Sequence, residues 1–195
     1  MSTDTQILVI DYSPEWPRQF SRLAQVYQDY LDGLLVGIEH VGSTSVPGLA
    51  AKPILDIDLI VQDKDALERV IPVLESLEYD YRGEVGIPDR HVFSAKAVTT
   101  PDNGSLREWP RHHLYCCIKD STGLRNHLLL RDRLRADAGL AASYGALKKA
   151  LAQQTTDMGA YIEGKTGFIT AVLEQGGFDA SELASIVDQN RNVIR

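Results

Sequence analysis

The sequence predicts an α+β fold, a mixed β-sheet flanked by helices with a helical portion after it. Three observations carry that expectation. Short aliphatic runs with a period of two crowd the stretch from Leu35 to Ile118, which is the spacing of strands. From Ser121 onward apolar residues recur at helical spacing. Strands first and helices last separate a sheet half from a helical half, dividing the chain into a core over residues 1–120 and a helical portion over 121–195, packed as one compact unit.

Ile7 to Asp11 reads as a short strand. Ser13 then caps a helix with Pro14 at its first position, and Trp16, Phe20, Leu23, Tyr27 and Tyr30 or Leu31 line one face, a spacing that makes Trp16 and Phe20 core anchors rather than a base-stacking platform. Strands follow over Leu35 to Val41 and Pro53 to Val61. Asp65 with Glu68 offers a capping box for a helix whose stripe is Leu67, Val70, Ile71, Leu74 and Leu77. Tyr79 to Arg82, His91 to Val98 and Arg111 to Ile118 read as three further strands, and Thr99 to Pro110, with Pro101, Asn103 and Gly104, as a loop. Gly123, Gly139, Gly164 and Gly176-Gly177 punctuate the helical half, and Asp179 with Glu182 opens its last helix.

The chemistry gathers between residues 40 and 61. In Pro53 to Val61 the positions Leu55, Ile57, Leu59 and Val61 are aliphatic, while Asp56 and Asp58 share the other face with Ile54 and Ile60. A period of two puts both carboxylates on one side of one strand, their Cα atoms roughly 7 Å apart. So dense an aliphatic run marks an interior strand, and buried like charges demand a counter-charge such as a divalent cation with oxygen ligands. An edge strand with one wet face would instead leave both acids solvated.

Upstream, Gly42, Ser43, Thr44, Ser45, Pro47 and Gly48 form a segment suited neither to a strand nor to a core. Exposed amides and hydroxyls in such a loop bind phosphate oxygens, although a Ser/Thr/Gly cluster between strands also serves as an ordinary turn. It is neither a Walker A loop nor a dinucleotide-binding Gly-x-Gly-x-x-Gly.

A Gly-Ser pair, a gap, then Asp-hydrophobic-Asp on the next strand resembles the nucleotidyltransferase superfamily of DNA polymerase β type. More narrowly, His40 through Pro53 followed by Asp56-Ile-Asp58 is very similar to the GrpB family of small bacterial proteins. The likeness extends to Tyr12-Ser-Pro-Glu-Trp-Pro17 with Phe20, to Arg111-His-His-Leu-Tyr115, to Leu130 through Arg135, and to Tyr144, Lys148, Tyr161, Lys165 and Phe168-Ile169. It implies a nucleotidyltransferase-like fold. Polymerase-β-type enzymes use three carboxylates and two metal ions, the third acid lying on a later strand; here that strand, Arg111 to Ile118, holds His112, His113 and Tyr115 and no acid.

His113 and Tyr115 share a face, so His113 is the candidate metal ligand or general base beside Asp56 and Asp58, and His112, on the opposite face, reads as structural. Glu39 and His40 are further candidates. The expected cofactor is a divalent metal on Asp56, Asp58 and His113, Mg²⁺ or Mn²⁺, with Zn²⁺ or Fe²⁺ favoured if the imidazole is a ligand. Gly42, Ser43 and Thr44, with Lys52, Arg131 and Lys165, are the candidate phosphate-binding residues; Arg90 and Arg135 are further cations. Each of these charges also has an ordinary reading as a solvated side chain or local ion pair.

Bulk properties narrow the partner. Across 195 residues, 44% hydrophobic and 24% charged describe a globular chain. No apolar run approaches the roughly 18 residues of a membrane helix, and no leader-like segment opens the sequence, so a cytoplasmic setting without membrane contact is expected. The adjacent Cys116 and Cys117 point to opposite faces and read as buried hydrophobes. A net charge of −7 disfavours a long nucleic acid and favours a nucleoside triphosphate or small phosphorylated metabolite. Three functions fit: metal-dependent transfer of a nucleoside monophosphate to a small acceptor, a binding or regulatory domain lacking the third carboxylate, and metal-assisted phosphoester hydrolysis with His113 as base.

Overall fold

The computed structural model describes residues 6–192. Five strands, β1 (Gly37–Val41), β2 (Leu55–Val61), β3 (Tyr79–Gly83), β4 (Arg90–Ala95) and β5 (His112–Ile118), and six helices, α1 (Glu15–Tyr30), α2 (Lys64–Ser76), α3 (Thr122–Ala136), α4 (Ala138–Gln154), α5 (Met158–Gln175) and α6 (Ala180–Asn192), carry the chain. The strands form one mixed sheet in the order β1-β2-β5-β4-β3. Only the β2–β5 pair is parallel. A parallel neighbour needs a long crossover, and α2 with β3 and β4 supplies it.

The alternation in β2 divides two packing layers. Leu55, Ile57, Leu59 and Val61, with Leu114 and Cys116 of β5, bury against Trp16, Leu23 and Tyr27 of α1 and Leu67, Val70 and Leu74 of α2. On the other face Ile60 and Cys117 meet Leu124 of α3, so the two cysteines, both fully buried, do sit in separate clusters. The helical half covers this second face. Phe20 is partly buried against the first core, and Trp16 is wholly part of it.

Several boundaries move, each for a local reason. The run Ile7 to Asp11 forms no named strand; Ile10 makes a single bridge to Ala51, with hydrogen bonds of 2.9 Å in both directions. At α1 the cap position is Pro14, and the Ser13 hydroxyl accepts from the Glu15 amide at 3.3 Å. At α2 the cap is Asp63, accepting from Ala66 N–H at 2.9 Å, so the expected box at Asp65 and Glu68 falls inside the helix. β2 starts at Leu55 because Pro53 has no N–H to pair and Ile54 N–H turns back onto Lys52 O at 2.8 Å. β4 ends at Ala95, leaving Val98 exposed. The expected break at Gly164 is absent, since α5 runs through it. α6 opens as expected: Asp179 Oδ1 accepts from Glu182 N–H at 2.9 Å and Glu182 Oε2 accepts from Asp179 N–H at 3.0 Å.

Candidate functional site

Register decides which side chains meet. Along β2, Asp56 stands opposite Val41 on β1 and His113 on β5, while Asp58 stands opposite Glu39 and Tyr115. Both acids lie on the face covered by the helical half, as a period of two requires. Their environments then diverge. Asp56 keeps 29% of its side chain accessible and bonds His113 Nδ1 at 3.0 Å. Asp58 is fully buried, and both its oxygens accept from His127 Nδ1 of α3, at 3.1 and 2.9 Å.

Gly42 sets the approach of the turn to Asp56. Its φ of 67° and ψ of −172° lie in a region essentially confined to glycine. A Cβ there would fall 2.1 Å from Asp56 Oδ2. The turn that follows, Ser43–Ser45, is one of 3₁₀ form. Thr44 is not free for a ligand: its hydroxyl bonds His40 Nε2 at 3.0 Å and Ile54 O at 3.5 Å. Burial lowers the His40 pKa to about 4, keeping that imidazole neutral, and the ring stacks on Phe20.

Three lysines converge opposite this turn. Lys52, Lys148 and Lys165 join Ser43, Asp56, His113 and Tyr161 around one cavity of about 80 Å³. Lys52 and Lys165 lie over the Tyr161 ring at 5.7 and 4.6 Å from its centroid, and Lys148 sits 4.6 Å from that of Tyr144. Lys148 is only 2% exposed, and its ammonium has no hydrogen-bond partner among the described residues. Burial, then the neighbouring Lys165, lowers its pKa to about 7. Burial and Lys52 lower that of Lys165 to about 8; burial also lowers Lys52, and Arg111 adds to the effect. Asp56 moves the other way: burial would raise its pKa, but the His113 hydrogen bond and the charges of His113, His127 and Lys165 outweigh it, so the carboxyl is held below its ordinary range. Because a carboxylate can only accept, His113 Nδ1 carries the proton of that bond, and in the neutral imidazole Nε2 is the nitrogen that holds the lone pair.

A second cavity, of about 240 Å³, continues from Ser43, Asp56 and Lys165 between the sheet and the helical half, with Leu130, Tyr144 and Ile169 as apolar wall and Asn126, His127 and Arg90 as polar groups. Arg90 lies 4.8 Å from the Tyr115 ring, and its Nε is buried without a hydrogen-bond partner among the described residues.

The structure therefore gathers Gly42, Ser43, Lys52, Asp56, His113 and Lys165 in one place and separates four other sequence candidates from it. Thr44 is spent on His40. Arg131 borders the second cavity, but its guanidinium bonds Glu39, Asp132 and the His40 carbonyl, so a phosphate role would break three contacts. Asp58 borders neither cavity and holds His127 instead. Arg135 is turned onto Ser45 O. Sequence reasoning missed His127 and treated Lys148 only as part of a likeness; the signal for His127 was its place four residues before Arg131, on the same helical face.

Among the described residues no three carboxylate, imidazole or thiol groups are placed to hold one ion, because each acid is paired with its own imidazole.

The GrpB protein family model matches residues 6–175. The chain belongs to the GrpB family. It is 35% identical over 173 residues to UPF0157 protein SCO7215 of Streptomyces coelicolor, covering 88% of this chain and 85% of that one. It is 31% identical over 170 residues to UPF0157 protein YqkA of Bacillus subtilis, covering 87% of this chain but only 47% of the relative. The crystal structure of GrpB from Enterococcus faecalis superposes with a TM-score of 0.71 at 32% identity, over 92% of this chain and 99% of that one. The Cid1 poly(U) polymerase superposes with a TM-score of 0.52 at 16% identity, over 76% of this chain and 46% of that one, a likeness of fold. This GrpB chain thus has the nucleotidyltransferase-like architecture. Among the described residues no helix is long and apolar enough to cross a membrane.

Proposed function

We propose that this GrpB protein binds a nucleoside triphosphate, or a small metabolite with a similar phosphate chain, between the Gly42-Ser43 turn and the lysines of the helical half. The observation that carries this reading is Lys148. An ammonium buried without a partner costs several kcal/mol, and Lys52 and Lys165 add two like charges around the same small cavity. Asp56, the one carboxylate lining that cavity, is bonded to His113, and phosphate oxygens would supply further negative charge against the three amines. The adjoining apolar cavity supports a nucleoside attached to that chain, and the Cid1 neighbour is itself described as bound to MgGTP. Calorimetric titration with each nucleoside triphosphate tests the reading. Lys148→Met keeps the buried stem and should lose roughly 2 kcal/mol of affinity or more, about thirtyfold; equal binding by both proteins would end it.

One observation favours turnover as a second reading: the Asp56–His113 pair borders the lysine cavity. An acceptor hydroxyl against His113 Nε2 would give up its proton there, its oxygen would bond to the α-phosphorus, and the bond to the β-phosphate oxygen would break, releasing pyrophosphate. Water in place of the acceptor would make the same pair a hydrolase. Since the residues as arranged form no metal cage, no step is assigned to an ion; dependence on Mg²⁺ or Mn²⁺ is read by repeating the assay with each and with chelator. Pyrophosphate release that disappears in Asp56→Asn supports turnover, a monophosphate joined to the acceptor marking transfer and free nucleoside monophosphate marking hydrolysis. Tight binding with neither pyrophosphate nor phosphate release supports a sensor.

A further inference from the structure

A third concavity opens on the other side of His113. It lies along β4 and β5 under the loop from Ala97 to Pro110 and measures about 470 Å³, several times the lysine cavity. His113 borders both, so a molecule here and a phosphate chain in the lysine cavity would share that imidazole as a neighbour. The lining has a definite chemical character. Trp109 and the exposed Val98 give it a flat apolar wall, Arg111 and Lys96 give it positive charge, and among the described residues no carboxylate borders it. In a protein of net charge −7 that is a local reversal. Lys96 is already paired with Glu78 at 3.2 Å. Arg111 is exposed, and its charge is among those that lower the pKa of Lys52.

We propose that this groove is the seat of a second ligand, a small organic anion with a flat apolar body whose anionic group pairs with Arg111 and whose hydroxyl or amine is directed at His113. The proposal deepens the nucleotide-binding reading by naming the class of acceptor or co-ligand, but the groove can be tested without any nucleotide. Neutral and anionic members of one shape would be distinguished by Arg111 alone, since the apolar wall treats them alike.

Trp109 fluorescence reports occupancy directly, with Trp109→Phe as the blank. Titration with 4-hydroxybenzoate, 4-hydroxyphenyl phosphate and the uncharged 4-hydroxybenzamide should give quenching by both anions at least tenfold tighter than by the amide, and Arg111→Gln should bring the anions down to the amide's level. Equal binding of anions and amide, a preference that survives Arg111→Gln, or no response to any of the three would each overturn the proposal. The same titration on Lys148→Met keeps the two readings apart. Anion binding unchanged there supports the groove whether or not triphosphate binds, and anion binding lost there moves the ligand to the lysine cavity and overturns it.

Discussion

Lys148 makes the most direct demand on the chemistry of the site. Its pKa in the folded protein is about 7 against an ordinary 10.5, so between those values the unfolded chain holds a proton that the folded chain has released. Where the unfolded state binds more protons, stability rises with pH. The buried charge therefore penalises the folded state fully below about 7, and the penalty fades as pH climbs toward 10.5. The melting temperature of the ligand-free protein should rise between pH 7 and pH 9, with a shallower rise in Lys148→Met, as thermal scans across a pH series would record. Saturating triphosphate should flatten the slope of the wild type, because a bound phosphate favours the charged amine. A slope identical in wild type and variant would show that Lys148 is not the group responsible. The same scale shows where reading a sequence stops. That Asp56 and Asp58 share a face follows from the two-residue period of a strand. That one of them borders a cavity and the other is sealed beneath a histidine does not, since the partner that separates them, His127, lies 69 residues away from Asp58.

At the scale of elements, local signals located most pieces and misplaced several ends. The box at Asp179 and Glu182 was readable because both partners are local; the start of α2 was not, because Asp63 and Asp65 are both plausible caps and only the packing of Leu67, Val70 and Leu74 on the sheet chooses between them. Gly164 is the more instructive case. A glycine inside a helix costs about 1 kcal/mol relative to alanine, which makes it read as a break. Here it lets α5 close on α4: a Cβ at Gly164 would fall 2.5 Å from Leu151 Cδ2. Leu151 is one turn beyond Lys148 on α4, and Lys165 follows Gly164 on α5, so this crossing sets the spacing of the two amines. Gly164→Val should cost about 1–3 kcal/mol through overpacking and weaken triphosphate binding together with stability. Adding Leu151→Ala should recover part of both, measured by denaturant titration and calorimetry on the three variants. Affinity that stays at the wild-type value while stability falls would separate the crossing from the site.

Over the whole molecule, the division into a sheet half and a helical half was readable from the order of periodicities, and the family from the string between His40 and Asp58. The strand order was not, because the parallel pairing of β2 with β5 brings together residues such as Asp56 and His113 across a crossover that no short-range pattern encodes. The global charge bears on a question the fold raises, since a poly(U) polymerase shares this architecture. A long polyanion must lie along a surface, and here 27 acidic residues outnumber 20 lysines and arginines. Three of those lysines line one small cavity instead of a track. At physiological ionic strength screening acts over about 8 Å, so a compact phosphate chain feels the cavity while an extended strand meets the acidic remainder. An oligouridylate of roughly 16 nucleotides, the upper site size of a single-strand binding fold, should give no mobility shift at protein concentrations that saturate with triphosphate, and should not displace the bound triphosphate. Salt-sensitive retention of the oligomer would instead require a continuous basic path that the charge balance argues against, and it would replace the proposed small-molecule ligand with a nucleic acid.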